Sequence, residues 1–324
     1  EVGIPAMGPK LRADLLSLTR LGLDSQLTLW CRAHPDDIQA ASRCGVDGIH
    51  LSWPLSDLQL GVIGKAREAL LKEIPLLVAQ TRERFSRVTV GLADVTRADG
   101  RFLQEVAATV AASGAHRLRL ADTVGVGLPT AVAGLIGSVK AVAPHLSLEF
   151  HAHNDLGLAA ANALAAAEAG AEAVSVTVNG LGERAGNAAL EQVVMALDHH
   201  SDLFTEVDPR GLVPLCHLVA TAAGRSLAVD QPVVGSKTFT HESGIHCHGL
   251  LKDTRSYEPF APCRVGHPGH RLVAGAHSGS AGLRHQLAQA GIRVSRRQAQ
   301  QFLPRVRAAA RHRGECIDGG ALLD

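Results

Sequence analysis

Apolar and polar positions alternate with two different periods along the first 200 residues. Short runs of strand character fall at Val2–Ile4, Leu27–Cys31, Val46–Leu51, Val88–Leu92, Arg117–Ala121, Leu146–His151 and Ala173–Val178. Longer stretches with helical spacing lie between them: Pro9–Leu21, Leu58–Lys72, Asp99–Ala112, Pro129–Val142, Asp155–Ala169 and Arg184–Leu197. Gly114 and Gly170 stand where two of these helices would end in a left-handed residue. Repeated strand-then-helix units predict a parallel sheet with right-handed crossovers. The chain opens on Glu1-Val2-Gly3-Ile4, without Met and already inside an apolar run. Seven strands, the first clipped, predict an α/β fold, a TIM (β/α)8 barrel lacking its first strand–helix unit. A doubly wound open sheet is the competing architecture.

The alternation stops near residue 205. Asp208-Pro209 opens a helix, residues 230–240 are turn-like, and Ser280–Ala290 and Arg296–His312 have helical spacing. We therefore expect a barrel over residues 1–205 and a helical C-terminal region over 206–324.

Composition sharpens this picture in three ways. Aromatics are only 3% of the chain and Gly numbers 33, which suits small-residue strands under packed helices and argues against an all-β sandwich. The net charge of +1 supplies no basic excess for a nucleic-acid backbone, and no apolar run reaches the length of a membrane span. Six scattered cysteines without a CxxC pair point to a reducing compartment, so a cytoplasmic location is expected.

Four segments hold candidate chemistry. In Phe150-His151-Ala152-His153-Asn154-Asp155, positions i and i+2 of a strand face one side. His151 and His153 would project together at the C-terminal rim, where barrel enzymes place their chemistry. Two imidazoles there are half of a divalent-metal site, or two satisfied histidines at a strand end; Asn154 and Asp155 suit a helix cap. Asn179-Gly180-Leu181-Gly182-Glu183-Arg184-Ala185-Gly186-Asn187 follows the last strand. It is either an ordinary Gly-rich turn or a loop in which Asn187 gives a metal an oxygen ligand while Glu183 and Arg184 orient it or pair. Asp122-Thr123 offers a hydroxyl for a substrate carboxylate, or a cap. Thr240-His241-Glu242-Ser243-Gly244-Ile245-His246-Cys247-His248, with Tyr257 beyond it, suggests an acid/base group, a second metal cluster or a solvated helix face. The remaining histidines, His50, His199 and His200 among them, share no spacing and are read as structural or exposed.

Taken together, EVGIPAMG at the start, ADTVG at 121–125, FHAHNDLG at 150–157, NGLGERAGNA at 179–188 and THESGIHCHGLLKD at 240–253 resemble the metal-dependent barrel enzymes that include 2-isopropylmalate synthase, homocitrate synthase and 3-hydroxy-3-methylglutaryl-CoA lyase. Trp30-Cys31-Arg32-Ala33 and Tyr257-Glu258-Pro259-Phe260 look most like the homocitrate synthases that serve nitrogenase-cofactor assembly. The resemblance implies an acyltransferase that condenses acetyl-CoA with a 2-oxo acid, 2-oxoglutarate here, using Mg²⁺, Mn²⁺ or Zn²⁺. It implies His151 and His153 as metal ligands with Asn187 beside them, and Thr123 and Glu1 as substrate contacts. It implies His246 with its partner Tyr257 as the catalytic pair, on a C-terminal region that covers the active site in a homodimer. Alternatives are 2-isopropylmalate or citramalate synthesis, or an impaired barrel that only binds a ligand or partner. Two departures bear on activity. The family's first-strand Asp-Arg-Glu segment has no counterpart in this chain, so weak activity is expected. Ala93 stands where the family has a Glu assisting the histidine, with Asp94 a partial substitute from the next position.

Overall fold

The computed structural model describes residues 1–199, 202–314 and 316–317. By its internal contacts the chain divides into two compact units, Glu1–Phe204 and Thr205–Asp324.

In the first unit six strands form one parallel sheet in sequence order: β1 (Thr28–Arg32), β2 (Gly48–Pro54), β3 (Arg87–Ala93), β4 (Arg117–Asp122), β5 (Ser147–Ala152) and β6 (Ala173–Ser175). Around it run α1 (Pro9–Thr19), α2 (Pro35–Ala41), α3 (Asp57–Val62), α4 (Arg67–Arg82), α5 (Gly100–Ser113), α6 (Pro129–Val142), α7 (Ala159–Glu168) and α8 (Leu190–His199). This is a partial (β/α) barrel, as the strand–helix alternation predicts.

Period-two alternation decides which side chain faces which layer. Leu29, Cys31, Ile49, Leu51, Trp53, Val88, Val90, Leu92, Leu118, Leu120, Leu148 and Phe150 are at most 1% exposed and share one core with Ile74, Val78, Val106, Val110, Ile136 and Val139 of the helices. The intervening positions carry Trp30, His50, Ser52, Gly91, Arg119 and His151, which line a cavity on the other face. One glycine is forced by this arrangement. A Cβ on Gly91 would stand 1.8 Å from His50 Nε2, so the His50 ring occupies the room that a side chain at 91 would need.

Several predicted boundaries are corrected. Val2–Ile4 is not a full strand; it is tied to β1 through Val2 N–Thr28 O (2.9 Å) and Trp30 N–Gly3 O (3.0 Å), too few bonds for a ladder. The stretch Leu58–Lys72 is two helices, because Gly64 adopts a left-handed φ of 66° between α3 and α4. The helix expected from Arg184 begins only at Leu190, since residues 187 and 189 bridge to His153 and Thr177. The helix expected from Asp155 begins at Ala159 with Leu158 as its N-cap residue, so neither Asn154 nor Asp155 is the cap, although Asn154 Oδ1 accepts from Ala159 N (3.1 Å). Helix α2 was not anticipated, although Pro35 at its first position and Asp36 and Asp37 in its first turn are start signals. Gly114 closes α5 with φ 77°, and Gly170 follows α7 with φ 102°, both as expected.

The second unit holds α9 (Leu212–Ala222), α10 (Gly244–Leu250), α11 (Ser280–Gln289) and α12 (Arg296–Arg313). The last of these starts from a reciprocal Ser295–Gln298 capping box. A short parallel pair, β7 (Thr240–His241) and β8 (Arg271–Leu272), joins the predicted helices.

Replacing Gly91 with Ala should lower unfolding stability by about 1–3 kcal/mol through overpacking against His50. In urea titrations the cost should shrink when His50→Ala is added; a cost unchanged by that second substitution would show that the His50 ring is not the obstacle.

Candidate active site

His151 is the penultimate residue of β5 and His153 follows directly after its last residue, Ala152. Their Nε2 atoms lie 3.2 Å apart, with the ring planes at 87°. Two nitrogens bound to one ion at ~2.1 Å, near a right angle, would stand about 3 Å apart. Both rings are held neutral. Burial, then the nearby Arg119, push His151 down to about 3, and burial with Arg184 lowers His153. A neutral imidazole is the form that binds a metal.

The Gly-rich loop brings a third donor to these two. It folds back on β5 through Ala188 N–Ala152 O (3.1 Å) and Asn154 N–Gly186 O (2.9 Å), which pairs His153 with Asn187 in an isolated bridge. Gly186 sits at φ 90°, and a Cβ there would meet Gly180 O at 2.0 Å, so only glycine closes the loop. Asn187 donates through Nδ2 to Leu181 O (2.8 Å), while its Oδ1 is buried without a partner. That orphaned oxygen, beside two neutral imidazoles lining the same cavity, fits a divalent cation. Among the described residues no group of three or more His, Cys, Asp or Glu side chains is placed to hold a metal. Among the described residues the candidate donors here are therefore two imidazoles and one amide oxygen.

The cavity encloses about 690 Å³ and gathers Glu1, Thr123, His151, His153 and Asn187 of the residues singled out from the sequence. Its floor is ionic. Glu1 Oε2 accepts from His50 Nδ1 and from Arg119 Nη1, each at 2.9 Å. Arg119 Nε lies 2.7 Å from Glu149 Oε1, and Arg117 reaches Glu149 at 3.3 Å. Burial alone would raise the Glu1 carboxyl, but the His50 hydrogen bond and the Arg119 charge outweigh it and bring it to about 2. Burial holds His50 below its usual value. His50 and Arg119 are thus site residues that sequence reasoning passed over. The available signal was a polar residue at alternate positions of otherwise apolar strands, Ile49-His50-Leu51 and Leu118-Arg119-Leu120.

At the rim, Thr123 Oγ1 accepts from Asp94 N (2.8 Å), which leaves its hydroxyl hydrogen to donate. Asp122 anchors the following turn, accepting from Thr96 Oγ1, Val126 N and Gly127 N. Arg184 pairs chiefly with Asp155 (2.7 Å) and also donates to Thr123 O, so it clasps the loops after β4 and β5. Ala93 lines the cavity, but Asp94 does not. With φ 63° the Asp94 carboxylate turns to Ser56 Oγ (2.5 Å) and Arg97, so it is no substitute for a Glu at 93.

In the second unit His246 stacks on Tyr257, with centroids 4.0 Å apart at 25°, and His241 stands edge-on to His246 at 6.5 Å. Gly249 makes room, since a Cβ there would lie 2.7 Å from the tyrosine ring. Glu242 is structural, accepting from His277 N at 2.7 Å. His248 is exposed, and His200 lies outside the described residues.

A family model described as HMGL-like matches residues 1–219, and one described as homocitrate synthase post-HMGL domain-like matches residues 233–314. A homocitrate synthase of Frankia alni is 43% identical over 292 residues, 90% of this chain and 83% of that protein. A putative (R)-citramalate synthase of Methanosphaerula palustris is 42% identical over 308 residues, 95% of this chain and 61% of that protein. The solved hydroxymethylglutaryl-CoA lyase of Pseudomonas aeruginosa superposes with a TM-score of 0.59 at 24% identity, over 69% of this chain and 80% of that one, a likeness of fold.

The lowered His151 value sets a pH dependence of stability for the metal-free protein. Above 6.5 the ring is neutral folded and unfolded; between 6.5 and about 3 only the unfolded state takes up the proton, so stability falls as pH falls through that window. Urea midpoints should therefore drop less steeply there in His151→Asn than in the unaltered protein. Parallel slopes would contradict the buried, neutral ring.

Proposed function

The chain belongs to the HMGL-like family, and from that premise we propose that it condenses acetyl-CoA with 2-oxoglutarate to give homocitrate and CoA. The observation that carries this reading is the 43% identity with a homocitrate synthase along 90% of the chain. The match of residues 233–314 to a homocitrate synthase domain extends it.

His151, His153 and Asn187 would hold a divalent ion. Imidazole and amide oxygen donors suit Mg²⁺, Mn²⁺ or Zn²⁺. Such an ion supplies Lewis-acid polarisation of a bound 2-oxo acid. The chain's own residues do the rest. Thr123 donates its free hydroxyl hydrogen to the substrate carboxylate. Glu1 and Arg119 form the charged floor against which the substrate's far end rests. His246, stacked on Tyr257, takes a proton from the acetyl methyl group. The resulting enolate carbon bonds to the keto carbon, and water then cleaves the thioester to release CoA. The protein works as a homodimer in the cytoplasm, in the branch of the family that serves nitrogen fixation.

A second reading changes only the acid. Arg119 already meets Glu1 at 2.9 Å and Glu149 at 2.7 Å, so its charge is compensated before any distal carboxylate arrives. That favours a monocarboxylic 2-oxo acid and a citramalate- or 2-isopropylmalate-type product, in line with the 42% identical relative.

CoA release measured with 2-oxoglutarate, pyruvate and 3-methyl-2-oxobutanoate separates the two, the first acid being preferred if homocitrate is the product. A chelator should abolish release and added divalent metal restore it. His246→Gln should lower kcat by about 10²–10⁴ while sparing metal binding. No CoA release with any of the acids, in protein that binds metal, would remove the synthase reading.

A further inference from the structure

Tyr257 and Glu258 are consecutive, yet their surroundings differ. The Tyr257 ring lies against His246 and is 37% exposed, whereas Glu258 is 8% exposed, the one buried carboxylate among the described residues of the second unit. The backbone N–H groups of both donate to Thr254 O, at 3.1 and 3.0 Å, which fixes where the two side chains start. Glu258 Oε1 stands 2.8 Å from His270 Nδ1, at ion-pair distance but out of line for a hydrogen bond. No Lys or Arg among the described residues pairs with it. The short strand pair brings His270 there, since Arg271 N donates to Phe239 O (2.9 Å) and His241 lies opposite Leu272. His241 Nε2 is also buried without a partner. Burial lowers His241, Glu258 opposes that effect, and His270 and His246 add to it, so this ring feels all three groups. His241 in turn meets His246 edge-on, with ring planes 66° apart. The series His270, Glu258, His241, His246 is therefore continuous.

Buried polar groups without partners are rare, and they gather where protons are handled. A charge withdrawn from water also acts more strongly on its neighbours than a surface charge does. A negative group behind His246 favours its protonated form, and a positive one disfavours it. We propose that Glu258 and His270 are positioning residues that set how readily His246 takes up a proton, acting through His241. This rests on the reading of His246 as the acceptor of the acetyl proton. Other charged groups around α10 are engaged elsewhere. On the turn 254–256, Arg255 pairs with Asp253 (2.6 Å). On α11, Arg284 donates to Val294 O (3.1 Å). Glu242 accepts from His277 N, and the Cys247 thiol donates to His241 O (3.5 Å). His248 on α10 and His285 on α11 are the remaining titratable rings of these elements and serve as controls.

NMR of the imidazole Hε1 groups in protein with isotope-labelled histidine follows these rings without turnover, and loss of one signal in His246→Gln assigns His246. Glu258→Gln removes the negative group and should lower the His246 midpoint. His270→Gln leaves Glu258 uncompensated and should raise it. Each shift should be about 0.5–1 pH unit, three- to tenfold in the protonation equilibrium. The acid limb of kcat for CoA release should move the same way in each variant, with the KM of the 2-oxo acid unchanged. A purely structural role would move both midpoints in one direction or neither, and that result would overturn the proposal. The His270 side chain is 33% exposed, so its variant should fold even where Glu258→Gln does not, as circular dichroism would confirm, and its upward shift is then decisive alone. Opposite midpoint shifts with no CoA release from any acid would keep the proton control and refute the synthase reading. Normal CoA release with unmoved midpoints would keep the reaction and refute the control.

Discussion

One guanidinium between two carboxylates organises the inner face of this sheet. Arg119 projects from β4 into the cavity, with Glu149 on the next strand and Glu1 reaching in from the segment beside β1. All three side chains are largely withdrawn from water, at 11%, 8% and 29% exposure. A buried ion left alone costs several kcal/mol, whereas a matched set is roughly neutral. The polar row of the strands can therefore stay inside only as a set. Burial leads in depressing His151 and the His50 hydrogen bond leads in holding Glu1 ionised, and Arg119 adds to both.

Backbone folding then adds what side-chain alternation cannot. The two imidazoles come from strand spacing, but Asn187 arrives because a glycine loop doubles back onto β5. The loop is fixed twice, by the bridge between His153 and Asn187 and by Arg184 holding Asp155 and the Thr123 carbonyl. Rigid placement of a donor whose oxygen has no protein partner is what preorganised metal and substrate sites require.

Much of this was legible in the sequence, and the failures have physical causes. The strand–helix alternation, the period-two pair His151 and His153, and the left-handed Gly114 and Gly170 follow from local rules and stand. The helix starts near Arg184 and Asp155 were misread because tertiary bridges and a loop clasp overrode helical spacing. His50 and Arg119 were missed because their roles depend on which strand neighbours which. Register across a sheet is a long-range property that no window of sequence contains. Asp94 looked available until its left-handed backbone turned it toward Ser56 and Arg97.

Small residues do as much as reactive ones here. Gly91 admits the His50 ring, Gly186 closes the Asn187 loop and Gly249 seats Tyr257. A chain with 33 glycines and 3% aromatics builds its chemistry from space left open by missing side chains. The polar groups are then placed by what they are allowed to occupy, and the same constraint that fixes the imidazole of His50 over Gly91 fixes the carboxylate of Glu1 that it supports.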